Sequence, residues 1–446
     1  MKPAVKIAKP PSLPTDLIGG HFRSFRKDPT GFLTRLSKLG DVAEFRMGPQ
    51  QAFFINHPDL VRDLLVTSNN KFMKGRALQR AKTLLGNGLL TNEGESHLRQ
   101  RRMIQPAFHK RRIEDYSRSM IEYAERLSHG WRDGEIRDID RDMMRLTLQI
   151  VAKTLFSADV TDEADEVGRS MTQLVEMFNY LLLPFSEWLE KLPLPHTRRL
   201  SRARETLNSI IFQFINERRR TGEDKGDLLS MLLAAQDEDD GHGMTDDQIR
   251  DEALTLFLAG HETTANALTW TWYLLSQNAE AEAKLHYEVD GIDEVNFDGL
   301  PRLRYAEAIL AESLRLFPPA WAIGRLSLDK HQFGEFVIPK SSLVLASPYV
   351  TQRDARFWSD AEQFRPERWF EVSVREASQR FSYLPFGGGV RRCIGEGFAW
   401  TEGILLLATL AKRWKLTLVP DQKIGLQPMI TLRPKFGMRM KLEKRG

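Results

Sequence analysis

The segment Phe386-Gly-Gly-Gly389-Val-Arg391-Arg-Cys393-Ile-Gly395 holds the only cysteine among 446 residues. It sits between a glycine-rich bend and an apolar run, Phe398-Ala399-Trp400 through Ile404-Leu-Leu-Leu-Ala-Thr-Leu410, with the composition of a buried helix. A lone cysteine in a long chain usually reads as a small buried hydrophobe. This position reads differently. A sulfur just ahead of a helix faces unpaired backbone N–H groups and the positive end of the helix dipole, and both favour the thiolate. Arg391 and Arg392 add positive charge to the same loop. Such a sulfur is suited to ligating a metal or attacking an electrophile.

The spacing Phe-x-x-Gly-x-Arg-x-Cys-x-Gly resembles the haem-ligand loop of the cytochrome P-450 family, the haem-thiolate monooxygenases, in its soluble bacterial type. Five fixed residues at average usage recur by accident on the order of once in ten thousand chains of this length. The resemblance implies haem b as cofactor and Cys393 as the proximal iron ligand. Gly389 would permit a sharp turn, and Gly395 would let the helix approach the porphyrin with no Cβ in the way. Phe386 would shield the sulfur from water, and Arg391 would reach a haem propionate.

The clearest helix signal is the capping box Thr245-Asp-Asp-Gln248, followed by apolar spacing to about Gln277, long for a globular helix. Its middle carries Ala259-Gly260-His261-Glu262-Thr263-Thr264. A glycine, an acid and two hydroxyls in mid-helix serve helix stability poorly. Taken alone, the hexamer also fits a solvated acidic face with threonine packing. Beside the Cys393 loop it resembles the family's distal oxygen-binding kink. Thr263 Oγ would bond backbone four residues earlier and open the helix locally. Ala259, one turn before it on the same face, would leave room for dioxygen. Thr263 would hold an ordered water and Glu262 would link that water to solvent as a proton relay. His261 points to another face and reads as structural.

Glu312-Ser-Leu-Arg315 lies in a helical stretch, Leu303 to Phe317, ended by Pro318-Pro319. Glu-x-x-Arg alone carries no weight, since Glu166/Arg169 and Glu217/Arg220 match it too and read as surface pairs. With Phe364-Arg-Pro-Glu-Arg368-Trp369 downstream, the pair resembles the family's buried triad, here Glu312, Arg315 and Arg368, which is structural and positions the cysteine loop. His97 and Arg101 stand one helical turn apart on one face. With Arg325 they are further candidates for the propionates, and surface arginine is the alternative for each. Many family members have tryptophan where His97 stands.

The expected fold is mainly α with small β-sheets, the cytochrome P-450 fold with a long central helix over a haem, in a single domain over 1–446. Hairpins are expected at about residues 42–55 and around Phe336–Lys340 with Leu343–Ala346, and short strands between Leu416 and Leu442. Asp227 is placed to cap a helix over Leu228–Ala235.

Charge is balanced: 64 Lys+Arg against 60 Asp+Glu, interleaved rather than striped, which excludes the usual nucleic-acid binders. One cysteine cannot form an internal disulfide and fits a reducing, cytoplasmic compartment. Apolar runs such as Tyr180-Leu-Leu-Leu-Pro-Phe185 are far shorter than the roughly 20 residues of a spanning helix, and the N-terminus has no apolar signal, so no membrane anchor is expected.

The function implied is monooxygenation: one atom of dioxygen enters an apolar small molecule, by hydroxylation or epoxidation. No flavin segment follows Gly446, so electrons would come from a ferredoxin or flavodoxin with an NAD(P)H-dependent reductase, docked on Arg99, Arg102, Lys110, Arg111, Arg112 and Arg392. The substrate pocket would be lined by Thr255, Ala259, Thr263, Ala320, Ala322 and Ile323, with the loop near Ala81–Leu90. Gln50 and Gln51 stand where a fatty-acid hydroxylase would place an arginine, which weighs against a carboxylate substrate. Two alternatives are a peroxide-driven peroxygenase or isomerase of the same fold, which dispenses with an acid–threonine pair, and a non-enzymatic haem-binding protein.

Overall fold

The computed structural model describes residues 9–15, 19–158, 164–181, 195–236, 241 and 243–446. The run Tyr180–Phe185 falls largely outside them, as do residues 1–8. The fold is mainly helical with small sheets. The chain divides into two compact units. One comprises Met1–Gln79, Arg315–Gln363 and Trp369–Cys393; the other comprises Arg80–Leu314, Phe364–Arg368 and Ile394–Gly446.

The first unit is organised by a five-stranded sheet. Val42–Met47 and Gln50–Ile55 form the expected hairpin, in register Val42 to Ile55 and Met47 to Gln50. Gln50–Ile55 then pairs parallel with Leu343–Ala346, which pairs antiparallel with Ile323–Ser327, and Phe72–Lys74 closes the far edge. Phe53, Phe54, Ile55, Val344 and Ala346 are buried, so the central strands are apolar on both faces. The second expected hairpin is corrected here. Phe336–Ile338 pairs with His331–Phe333 across a tight turn at Gly334, φ 57°. Pro339 follows with no N–H to donate, so the ladder stops, and Leu343–Ala346 goes to the larger sheet instead.

The second unit is a helical bundle around Asp246–Ser276, a helix of 31 residues. Its capping box is formed: Thr245 N–H donates to Gln248 Oε1 at 2.9 Å and Gln248 N–H to Thr245 Oγ1 at 3.2 Å. This helix is buried nearly all round, with Trp270 and Trp272 fully enclosed, and packs against Ile139–Phe156. An apolar circumference is the mark of a helix at the centre of a large core. Glu396–Ala411, equally apolar, packs against Lys110–Gly130. Asp227 caps Leu228–Ala234, its carboxylate accepting from Ser230 N–H at 2.8 Å. The C-terminal strands are Trp414–Leu418, Leu426–Pro428, Leu432–Pro434 and Arg439–Lys444. Among the described residues no helix is long and apolar enough to cross a membrane.

Glu402 is the one acid in the fully buried stretch Thr401–Ala411. Burial pushes its carboxyl up to about 8, against a smaller downward pull from the Thr264 hydroxyl. A folded-state value above the unfolded one means that the folded protein holds this proton more tightly. The associated stability is therefore present at acid pH and is lost as pH rises toward about 8. In Glu402→Gln that loss is removed. The gap in Tm between this variant and the parent should widen by about 5 °C between pH 5 and pH 8.5, measured by circular dichroism. A gap independent of pH would contradict the assignment.

Candidate active site

In the first unit the chain bends back before Cys393 through a set of backbone bonds. Gly387 N–H donates to Leu384 O (3.1 Å), Arg392 N–H to Gly389 O (3.0 Å) and Cys393 N–H to Phe386 O (3.0 Å). Gly389 has φ 67°, and a Cβ there would fall 2.0 Å from the Leu65 carbonyl oxygen, so only glycine fits this turn. The bend leaves Cys393 exposed, with Phe386 and Arg391 half-buried beside it in sequence. Gly395 then caps Glu396–Ala411. A Cβ on Gly395 would meet nothing closer than Phe108 at 3.5 Å, an ordinary contact. The protein's own packing therefore does not require glycine at 395.

Arg315 and Gln352 support this bend. The Arg315 guanidinium donates to the carbonyls of Gln352 (2.7 Å), Ala361 (2.6 Å) and Gln363 (2.9 Å) and lies over the Trp358 ring. Gln352, fully buried, returns a bond to Arg315 O at 2.9 Å and accepts from Leu384 N–H at 2.6 Å. Trp358 Nε1 donates to Ser382 O at 3.1 Å. Arg325, on the strand Ile323–Ser327, is half-buried and donates to Gly324 O at 3.0 Å. Ala320 is exposed, and Ala322 and Ile323 are half-buried. Gln50 donates to Ser341 O at 2.6 Å and Gln51 to Glu44 at 3.0 Å, so both serve the sheet.

In the second unit Glu312, fully buried, accepts from Arg368 Nε and from Arg365 N–H, each at 2.9 Å. Breaking a buried pair of this kind costs about 3–5 kcal/mol, whereas an exposed one such as Arg126–Glu122 contributes about 1 kcal/mol or less. Glu166, Arg169, Glu217 and Arg220 are all exposed. On the helix Gly94–Ile104, His97 is buried and Arg101 half-buried.

The long helix is buried from Asp251 to Leu258 and then opens: Ala259 is exposed, and Gly260 and Thr263 are half-buried. Thr263 Oγ1 donates to Ala259 O at 2.7 Å, the bond to backbone at i−4, yet the helix stays continuous through it. Thr255 is buried, close against Gly88. His261 is buried, its Nδ1 3.2 Å from Phe257 O and its carbonyl accepting from Thr147 Oγ1 at 2.9 Å; burial pushes its imidazole pKa down. Glu262 is 1% exposed and points at the C-terminal strands, accepting from Arg433 Nε at 2.7 Å and from the Thr431 hydroxyl. Thr431 also accepts from Asn266 Nδ2 at 3.1 Å. Asp140 stands half-buried in this neighbourhood. Burial first, and then Asp138, push its carboxyl up to about 7.

The model for the family described as cytochrome P-450 matches residues 9–441. The chain belongs to the cytochrome P-450 family. Among its relatives, cyclooctatin synthase of Streptomyces melanosporofaciens is 40% identical over 93% of this chain and 91% of its own length. Cyclooctat-9-en-7-ol 5-monooxygenase of the same organism is 37% identical over 90% and 88%. Pentalenene oxygenase of Streptomyces avermitilis is 35% identical over 96% and 95%. Among solved structures, the retinoic acid-bound cyanobacterial CYP120A1 superposes with a TM-score of 0.87 at 26% identity, covering 99% of this chain and all of that one. As a cytochrome P-450 monooxygenase the protein uses a haem-thiolate cofactor and separate redox partners.

The residues fit that group. The exposed cysteine is a single soft donor with cationic side chains beside it in sequence, as a haem with two carboxylates requires. Gly395 and Ala259 are minimal side chains at positions where the protein itself would admit or expose more.

Gln352, Thr431 and Arg433 are not evident from the sequence. Thr431 stands just ahead of the strand Leu432–Pro434 and Arg433 within it, and only their shared contact with Glu262 shows that they act together. Gln352→Leu removes the bonds that Gln352 makes to Leu384 N–H and Arg315 O in the interior. It should lower stability by about 2–4 kcal/mol in urea titrations followed by circular dichroism. A loss below about 0.5 kcal/mol would mean the bonds are dispensable.

Proposed function

We propose that this monooxygenase oxidises an apolar cyclic alkene or alkenol of the terpene class, using haem b, with 1–446 acting as one haem-thiolate unit. The observation that carries the substrate class is the likeness to two relatives, cyclooctat-9-en-7-ol 5-monooxygenase and pentalenene oxygenase, at 37% and 35% identity. The uncovered residues assigned to the pocket, Ala259, Ala320, Ala322 and Ile323, are apolar, which suits such a molecule. With Gln50 and Gln51 committed to the sheet, neither stands ready for a carboxylate. The test is the change in haem absorption when purified holoenzyme is titrated with pentalenene and, separately, with a long-chain fatty acid. Pentalenene should bind at least about tenfold more tightly; the reverse order would sink the terpene reading.

In this reading Cys393 ligates the haem, and His97, Arg101, Arg325 and Arg391 hold its propionates. Bound haem would supply the activation of dioxygen and the insertion of one oxygen atom, with two electrons from the redox partner, two protons by way of the protein, and the second oxygen atom leaving as water. The protein's share is orientation and proton supply. Because Thr263 donates its own proton to Ala259 O, its hydroxyl oxygen is left as an acceptor, which orients a proton-bearing water on the open side of the helix. Glu262, an acceptor from Arg433 and Thr431 as it stands, would pass a proton to that water only after taking one up from Asp140. It must first release Arg433 or Thr431, so the ion pair acts as a gate on the relay. Asp140 beside Arg433, with a carboxyl near neutrality, is suited to refill it from solvent. The Glu312–Arg368 pair and the Arg315 contacts are structural.

Electrons would come from a ferredoxin or flavodoxin served by an NAD(P)H-dependent reductase. Arg102, Lys110, Arg111 and Arg392 are exposed, and Arg99 and Arg112 half-buried, which suits docking of an acidic partner. A cytoplasmic location accords with a chain that cannot form an internal disulfide. Reversing two charges, Lys110→Glu with Arg111→Glu, should slow partner-dependent haem reduction about tenfold at low salt and less at high salt. Unchanged reduction in stopped-flow measurements would exclude this surface.

A further inference from the structure

The loop Gly86–Leu89 is tied to the long helix by two consecutive acids. Asn87 N–H donates to Asp251 Oδ2 at 2.6 Å, and Leu89 N–H donates to Glu252 Oε2 at 2.9 Å. Both carboxylates are buried, Glu252 completely, and Arg250 Nη1 lies 3.1 Å from the other oxygen of Asp251. Two adjacent helix positions diverge by about 100°. Asp251 and Glu252 therefore take hold of the loop from two sides.

The loop lies flush on the helix because it has glycines there. A Cβ on Gly86, at φ 68°, would fall 2.0 Å from the Asp251 carboxylate, and one on Gly88 would fall 2.3 Å from Thr255 Oγ1 and 2.6 Å from the Asp251 carbonyl oxygen. Behind it, Gln100 Nε2 donates to Asn87 O at 3.1 Å and Thr91 Oγ1 to Gly86 O at 2.7 Å. Glu252, Thr255, Ala259 and Thr263 follow one another at helical spacing along one face. The first two are buried; Ala259 and Thr263 are uncovered. The loop thus covers the upstream part of the same face that opens at Ala259.

We propose that Asp251 and Glu252 are positioning residues for selectivity: by pinning the Asn87 and Leu89 amides they make Gly86–Leu89 a fixed wall at the edge of the Ala259–Thr263 opening, which limits the size of molecule admitted there. This rests on the reading of Ala259 and Thr263 as substrate-facing. A buried carboxylate that accepts from a backbone amide forms a strong, charge-assisted bond, and the acid left without it would be costly to bury. Gln100 and Thr91 hold the loop from behind, and the two acids hold its amides against the helix.

The experiment uses holoenzyme variants and needs no knowledge of the substrate. Asp251→Ala, Glu252→Ala and Gly88→Ala are compared with Asp251→Asn and Glu252→Gln, which keep an oxygen acceptor. Gly88→Ala wedges the loop off the helix with both acids intact. Amide hydrogen exchange is followed at Asn87 and Leu89, and binding of imidazoles with alkyl chains of increasing length is followed by the haem Soret shift. The three alanine variants should exchange these amides about tenfold faster or more, and should bind the longest-chain imidazoles about tenfold more tightly relative to the shortest. The Asn and Gln variants should resemble the parent. Faster exchange with an unchanged chain-length profile would overturn the selectivity role, and unchanged exchange would overturn the clamp. If no imidazole of any length binds the parent, the substrate-facing reading itself fails, and the proposal with it. If the parent binds them but pentalenene leaves no shift, only the terpene assignment fails.

Discussion

In the proposed reading, the chemistry of this chain rests on presenting one sulfur, that of Cys393, at a fixed place from a turn that only glycine can make. A sulfur that must face a cofactor cannot be packed as a core residue, so its position has to be imposed by the loop that carries it. The imposition is made by the Cys393 N–H bond to Phe386 O and by the left-handed turn at Gly389 against Leu65. Gln352 then hangs the start of the bend, at Leu384, on Arg315. The guanidinium, in turn, satisfies three carbonyls, one at Gln352 and two in the segment Ala361–Gln363. Leu384, Gln352 and Arg315 are buried and bonded to one another, so none of the three can shift alone without breaking a hydrogen bond in the interior.

The long helix shows a second use of the same economy. Apolar residues round most of its circumference make it a core element, and the few polar ones are spent on particular partners. Thr263 bonds its own backbone; Glu262 reaches the C-terminal strands; His261, held neutral by burial, is locked by Phe257 and Thr147. Asp251 and Glu252 hold the loop upstream. Downstream of them the helix is uncovered at Ala259, Gly260 and Thr263. Stability and access are thus separated along one rod rather than placed in different elements.

What was legible in the sequence was local. The turn at Gly389, the capping box at Thr245, the first hairpin and the cap at Asp227 depend on residues within a few positions of one another, and each is found as expected. The pairing of Leu343–Ala346 was not, because a parallel neighbour some 290 residues away leaves no mark on its own strand beyond being apolar on both faces. The same holds for Gln352, Arg433 and the two acids at 251 and 252. Glutamine, arginine and acid residues are common on surfaces, and only tertiary contacts separate a buried clamp from a solvated side chain. Glu262 is expected to link an ordered water to solvent; the side chain is buried against Thr431 and Arg433, partners that nothing near it in sequence announces.

The most direct measurement of the central claim is the absorption spectrum of the reduced holoenzyme with carbon monoxide, taken for the parent and for Cys393→Ser. Thiolate ligation predicts a strongly red-shifted Soret band in the parent that is lost in the variant. A parent band at the position of histidine-ligated haem, or a red-shifted band that survives in Cys393→Ser, would contradict the account.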